Sequence, residues 1–260
     1  MVVYAGQGDP ARSIPLLWRA PAEPKPGLSV DAVVDAGIEV ADSAGLAALS
    51  MRAVGERLGV TAMALYTHVP GKGELLELMY DRALARLPTH YPQEMQWREA
   101  LTTWADDTVA FHLRHPWLLH ISQARPVLGP HEFQSLETLS ELVRRTGLPP
   151  KSARGAVTTL TNYTRGAAQT IADARAAAAA TGQSDDEWWF SRSPLLDDVA
   201  HDFSTRYENL LWLESDPEPQ PEDCTPYLEW QARRSFHTGL EILLDGIEAA
   251  QNRATPAEAN

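Results

Sequence analysis

From Leu28 to Ala250 the apolar residues recur every three to four positions, and Gly or Pro closes most of the runs. That spacing is the period of an α-helix with one buried face, and no run alternates as a half-buried strand would. Ser29 caps a first helix carrying Val30, Val33, Val34, Gly37, Ile38 and Ala41, which Gly45 ends. Ser50 caps a short second helix with Met51, Val54 and Leu58, and Gly59 stops it. Thr61 opens a third, very short helix over 62–67, closed by the Pro70-Gly71 turn. A fourth runs over 73–87, with Leu75, Leu76, Met79, Tyr80, Ala83, Leu84 and Leu87 in one stripe.

Longer helices follow. Trp97, Leu101, Trp104, Thr108, Phe111 and His115 share one face of a helix that Pro116 stops. Further helices are expected over 132–146, 151–181, 195–213 and 227–250, the last with Phe236, Leu240, Leu243, Leu244 and Ile247 on one face. An irregular stretch holds Trp188, Trp189 and Phe190, and Asp216 to Pro226 reads as an acidic, proline-rich surface loop. The expected fold class is all-α.

Composition narrows the function. One cysteine excludes a disulfide framework and a cysteine-based zinc site within one chain. The longest purely apolar run, Ala176 to Ala180, is far short of the ~20 residues a membrane helix needs. The first residues, MVVYAGQGDPARSIPLLWRAP, have no basic start and no long apolar stretch, so they do not read as a secretory signal and the chain is expected in the cytoplasm. The net charge of −13 argues against a surface that coats nucleic acid throughout. Residues 91–260 carry fourteen basic against twenty-five acidic side chains, whereas 28–90 are close to balance. Any contact with a polyanion belongs near the front.

The stretch LSMRAVGERLGVTAMALYTHVPGK, Leu49 to Lys72, carries the functional signal. Two short helices joined at Leu58-Gly59-Val60 have the proportions of a helix-turn-helix, with Val54, Leu58, Val60 and Leu65 to lock them together. In such a motif the second helix enters the DNA major groove and reads base edges from its first residues. The wording is specific: Ser50 to Val54, Leu58 to Val60 and Ala64 to Val69, followed by Lys72 and the stripe from Glu74 to Leu87. From Ser29 to Leu87 the chain resembles the DNA-binding domain of TetR-family transcriptional regulators. The Leu65-Tyr66-Thr67-His68-Val69 run is similar to the tetracycline-repressor branch. His115 to Pro130 and Gly147 to Pro150 resemble the effector domains of that branch in actinobacterial proteins.

The resemblance implies three divisions: a flexible N-terminal extension, 1–27; a helix-turn-helix domain with linker helix, 28–90; and a ligand-binding and dimerisation domain, 91–260. It implies that Ser50 meets phosphate and Arg52 a base edge, a guanine suiting a bidentate arginine. Thr61, Ala62, Met63 and Ala64 stand at the start of the recognition helix. Ala62 and Ala64 offer apolar contact suited to thymine methyls, unlike the longer polar groups of the tetracycline repressor itself. Tyr66, His68 and Lys72 match phosphate-contacting positions, although Tyr66 also reads as a core tyrosine with its hydroxyl at the rim.

For the effector, the resemblance places a cavity near Trp104, Phe111 and Trp117, flanked by Phe133, Asn162, Tyr163 and Gln169. Each of these alone reads as core; together they combine an apolar wall with polar anchors. His112, His115 and His120 with Asp106 and Asp107 lack a supporting carboxylate pattern, so no metal site and no cofactor is expected. No phosphate loop or nucleophile elbow supports an enzyme. Arg12, Trp18, Arg19 and Lys25 suggest an arm that lies along DNA, the alternative being a passive tail. The implied partners are double-stranded operator DNA, a small apolar or aromatic effector, and a second copy paired through helices 151–181 and 227–250. The reading is a ligand-released repressor that does not enter a membrane. Its rival is a drug-sequestering protein with a vestigial helix-turn-helix.

Overall fold

The computed structural model describes residues 3–19, 27–216 and 225–254. They are almost entirely helical, with one pair of two-residue strands. Two compact units are present, one of the residues as far as Ala168 with those from Leu240, the other of Gln169–Gly239.

The first unit opens with β1 (Val3–Tyr4) and α1 (Pro10–Leu17). Next come α2 (Val30–Ala44), α3 (Met51–Leu58), α4 (Ala62–Leu65), α5 (Lys72–Leu84) and α6 (Trp97–Arg114). A 3-10 turn (Pro116–His120) leads into β2 (Ile121–Ser122), α7 (Pro130–Arg145) and the first part of α8 (Pro150–Thr181). Local chemistry sets these ends. The Ser29 hydroxyl accepts from the Ala32 amide at 3.1 Å and starts α2, while Gly45, at φ +77°, ends it with an amide bond to the Ala41 carbonyl.

The helix α5 is the centre of this unit. Leu75, Met79 and Ala83 are fully buried with Val33, Val34 and Ile38 of α2, each large side chain stabilising the unit by about 1.5–3 kcal/mol. A methyl group at Gly37 would meet the Met79 sulfur at 2.7 Å, so the approach of α2 to α5 depends on glycine. The opposite face of α5 is buried too, although it carries Glu74, Glu77 and Asp81. Backbone amides answer these charges: Asp9 donates to Glu74, Gly8 to Glu77, and His131 and Glu132 to Asp81 at 3.0 and 2.9 Å. Asp81 thereby caps α7 from another helix.

The expectation of a flexible extension over 1–27 is corrected for residues 3–19. Asp9 caps α1, whose Pro10 sits where a helix tolerates proline, and Val3–Tyr4 pairs in parallel with Ile121–Ser122. Lys25 and the rest of 20–26 lie outside the described residues, as do 217–224 of the acidic, proline-rich stretch.

In the second unit α8 continues to Thr181, followed by α9 (Asp185–Phe190), α10 (Ser193–Val199), α11 (Phe203–Arg206), α12 (Glu208–Leu213) and the start of α13 (Tyr227–Ala254). The stretch with Trp188, Trp189 and Phe190 is a helix, because Ser184 and Glu187 form a reciprocal capping box. The single helix expected over 195–213 is three short ones. The backbone leaves the helix at Ala200 and Tyr207, and no Gly or Pro marks those breaks. Glu229 of α13 is buried and accepts from Arg175 at 2.7 Å and Arg233 at 3.0 Å, which holds its carboxyl below the usual range.

Candidate nucleic-acid interface and effector region

The α3–α4 pair forms a tight helical corner. Gly59 takes the left-handed conformation at φ +68° and ends α3. The Val60 amide then turns back to the Gly55 carbonyl at 2.9 Å. A Cβ at Gly55 would stand 2.7 Å from the Val60 carbonyl oxygen and 3.2 Å from the Ala62 nitrogen. Glycine at 55 is therefore what lets the turn close on α3, and the sequence reading missed it. Its only local signal is a glycine inside a short helix. Val54, Leu65 and Val69, all fully buried, anchor the corner to the core.

This packing turns a set of candidate side chains outward. Met63 is 73% exposed, Tyr66 is exposed, and the Arg52 side chain is 86% exposed. Ser50 caps α3 by accepting from the Ala53 amide at 3.1 Å, so its hydroxyl proton stays available to an acceptor. Thr61 opens α4 without a capping bond from its own hydroxyl, unlike Ser29 and Ser50. Ala62, Ala64 and His68 are half-buried. Lys72 is exposed at the first residue of α5 and enters no ion pair among the described residues.

The charges differ in their commitments. Arg57 is bound to Glu39 at 2.6 Å and Arg82 to Asp35 at 3.2 Å, which neutralises the α2 side of the domain. Arg52 pairs with Glu56 one turn on at 2.8 Å, and this hydrogen bond raises its pKa. Both of those side chains are exposed, and such pairs exchange readily with other partners.

On the effector side the candidate residues fall into three groups. Trp104, Phe111 and Trp117 are buried. Trp117 donates its indole N–H to Asp42 of α2 at 2.8 Å, and His115 Nδ1 meets the same carboxylate oxygen at 2.7 Å. Arg86 donates to His115 Nε2 at 3.0 Å. This relay ties α2 to the end of α6, a role the sequence reading did not assign. Phe133 is exposed with its ring tilted against Trp18 at 6.2 Å, and so lies beside the N-terminal segment. Asn162 is exposed, Tyr163 is half-buried with a backbone hydrogen bond at Leu240, and Gln169 donates to Asp173.

One further group stands out on α6. Thr108 Oγ1 is buried without a hydrogen-bond partner, the sole such side-chain atom among the described residues. Its neighbour one turn on, His112, bonds through Nδ1 to the Thr108 carbonyl at 2.9 Å, and burial pushes its pKa down to about 4. A neutral imidazole and an unanswered hydroxyl on one buried face can orient a polar group of a bound molecule. Among the described residues no three His, Cys, Asp or Glu side chains are placed to hold a metal ion, and no helix is long and apolar enough to cross a membrane.

Comparison with known proteins agrees with this geometry. Residues 33–79 match the family of bacterial regulatory proteins called tetR, and 91–251 match the tetracyclin repressor-like C-terminal domain. The chain is 38% identical to the HTH-type transcriptional repressor DrrR1 of Streptomyces coeruleorubidus, over 97% of this chain and 92% of that one. It is 24% identical to the class E tetracycline repressor protein of Escherichia coli, over 89% and 97%. Streptomyces coelicolor ActR in complex with (S)-DNPA superposes with a TM-score of 0.65 at 25% identity, over 85% of this chain and 98% of that one. ActR in complex with actinorhodin gives 0.67 at 24%, over 89% and 100%, which shows the shared fold.

Proposed function

The chain belongs to the TetR family of bacterial regulators, and from that premise we propose that it represses transcription as a homodimer on a palindromic operator and is released by a small, largely apolar molecule. It is a DNA-binding transcriptional repressor of the TetR type with a ligand-binding C-terminal domain. The finer reading concerns how it does this, and in the cytoplasm.

The observation that carries it is the outward face of the glycine-closed corner. Arg52, Thr61, Met63, Tyr66 and Lys72 are exposed there while Val54 and Leu65 hold the corner from within. In this reading Arg52 leaves Glu56 for a base edge, and Met63 with Ala62 and Ala64 meets thymine methyls. Ser50, Tyr66, His68 and Lys72 hold phosphates and set the register. One four-residue recognition helix reads too few bases for specificity, so two copies are needed on half-sites ~34–36 Å apart or multiples of that. Helices α8 and α13 are the proposed dimer elements; Gly166 and Gly246 have open space around them, and Ile242 is 66% exposed.

For the effector, Trp104 and Tyr163 are the proposed walls, with Phe111, Trp117 and Asn162 in the same set. The Thr108 hydroxyl is a polar anchor added to that set. ActR is held with actinorhodin and with (S)-DNPA, which favours a small organic molecule here as well.

Selection from a random duplex library with the full-length protein tests this reading. The expected product is an inverted repeat whose binding weakens steeply with salt. A molecule that quenches the tryptophan fluorescence and frees that duplex would be the effector, and the duplex must weaken its binding by the same factor. Recovery of no preferred sequence would overturn the reading and leave sequestration of a small molecule.

A further inference from the structure

We infer that Glu74 and Glu77 are positioning residues for operator binding, acting through residues 3–19, which clasp the linker helix α5 to the strand Ile121–Ser122. The inference rests on the operator reading above and replaces the idea of an arm on DNA.

The geometry is specific at both ends of the segment. Glu77 accepts the Gly8 amide at 2.8 Å and Glu74 the Asp9 amide at 2.9 Å, and both carboxylates are buried, 3% and 8% exposed. They stand three residues apart on one face of α5, in the turns that follow Lys72. Two facing glycines make the contact close. A Cβ on Gly73 would meet Gly8 at 3.2 Å, and one on Gly8 would meet Glu74 and Glu77 at 3.0–3.1 Å. At the other end Val3 and Tyr4 pair with Ile121 and Ser122, and Trp18 donates its indole N–H to the Leu128 carbonyl at 2.9 Å. The Ile121 carbonyl in turn accepts from Arg165 of α8 at 2.7 Å, so this end is tied to the effector side.

Of the cations proposed for a DNA arm, Arg19 is engaged by another element, whereas Arg12 has only an exposed pairing within its own segment. Arg19 binds Asp31 of α2 at 2.5 Å, and Arg12 lies 3.5 Å from Asp9. Moving α5 relative to β2 would strip two buried carboxylates of their donors, an expensive change. The clasp therefore fixes the start of α5, and with it Lys72 and the turn that follows the recognition helix.

The test uses full-length protein and the duplex that wild type selects, with affinity measured across salt concentrations. The double variant Glu74→Gln, Glu77→Gln is expected to bind about tenfold more weakly with an unchanged salt slope, because charge-assisted bonds are lost and no phosphate contact is. Amide exchange at Gly8, Asp9 and Ile121 should quicken in it. Gly73→Ala, which displaces the same segment without a charge change, should give a smaller fall of the same kind. In a Cys224→Ser background, Tyr4→Cys with Ser122→Cys should restore affinity to the double variant when oxidised and lose it when reduced. Arg12→Ala should leave the slope alone. Faster exchange with unchanged affinity would make the segment structural and overturn the inference. A slope lowered by about one in Arg12→Ala would return it to DNA. Wild type that selects no duplex would sink the operator reading itself, and this inference with it.

Discussion

Helix α5 buries charge, whereas α9 to α12 expose hydrophobic surface, so two regions of one chain depart from the usual distribution in opposite directions. In α5 the departure is answered on the spot: Glu74, Glu77 and Asp81 each receive backbone amides from the segments that cover them. In α9, α11 and α12 no residue is buried; Trp189 is 57% and Trp212 71% exposed. Short helices hold their shape mainly by burying a face. The first region answers its charges within the chain, and among the described residues the second leaves its apolar side chains exposed.

The contrast predicts where acid acts. On α6, His112 is another buried ionisable group, and burial lowers its pKa from 6.5 to about 4. Below pH 6.5 the unfolded chain takes up a proton that the folded chain refuses. This contribution is whole above that pH and shrinks as the pH falls towards 4, by as much as about 3 kcal/mol. Urea melts at stepped pH check it, and His112→Gln should flatten that part of the profile.

Next in size is the joint between α5 and α7. Asp81→Ala leaves the His131 and Glu132 amides without their acceptor and should cost about 2 kcal/mol, measured by urea denaturation. Asp81→Asn, which keeps an acceptor oxygen, should lose less. Equal losses would mean that the amides are not what stabilises the buried carboxylate. The smallest effect belongs to the other region: Trp212→Ala should change the stability of dilute protein by less than about 0.5 kcal/mol. A loss of 2 kcal/mol there would break the comparison, since it would give that indole a burial site inside the chain.

The helices that start at Ser29 and Ser50 and stop at Gly45 and Gly59 were readable because cap, stop and apolar spacing all agree locally. Arg52, Met63, Tyr66 and Lys72 are singled out by the family resemblance of the motif and not by that spacing, and all four are exposed. The N-terminal segment was not readable, because Val3–Tyr4 becomes a strand through a partner more than a hundred residues away. The buried face of α5 was hidden for a related reason: its carboxylates are answered by backbone groups, which leave no side-chain signature. The α9 capping box, Ser184 with Glu187, was legible and was missed beneath the aromatic run.

The central claim is that the glycine-closed corner reads DNA, and one comparison of variants tests it most directly. On the selected duplex and on its single-base substitutions, Arg52→Ala should cost about 1–3 kcal/mol and lose base preference at one position per half-site. Lys72→Ala should weaken all sequences alike and reduce the salt slope by about one. If Arg52→Ala kept both affinity and base preference, the exposed arginine would not be reading the operator and the docking of α3 and α4 would be wrong.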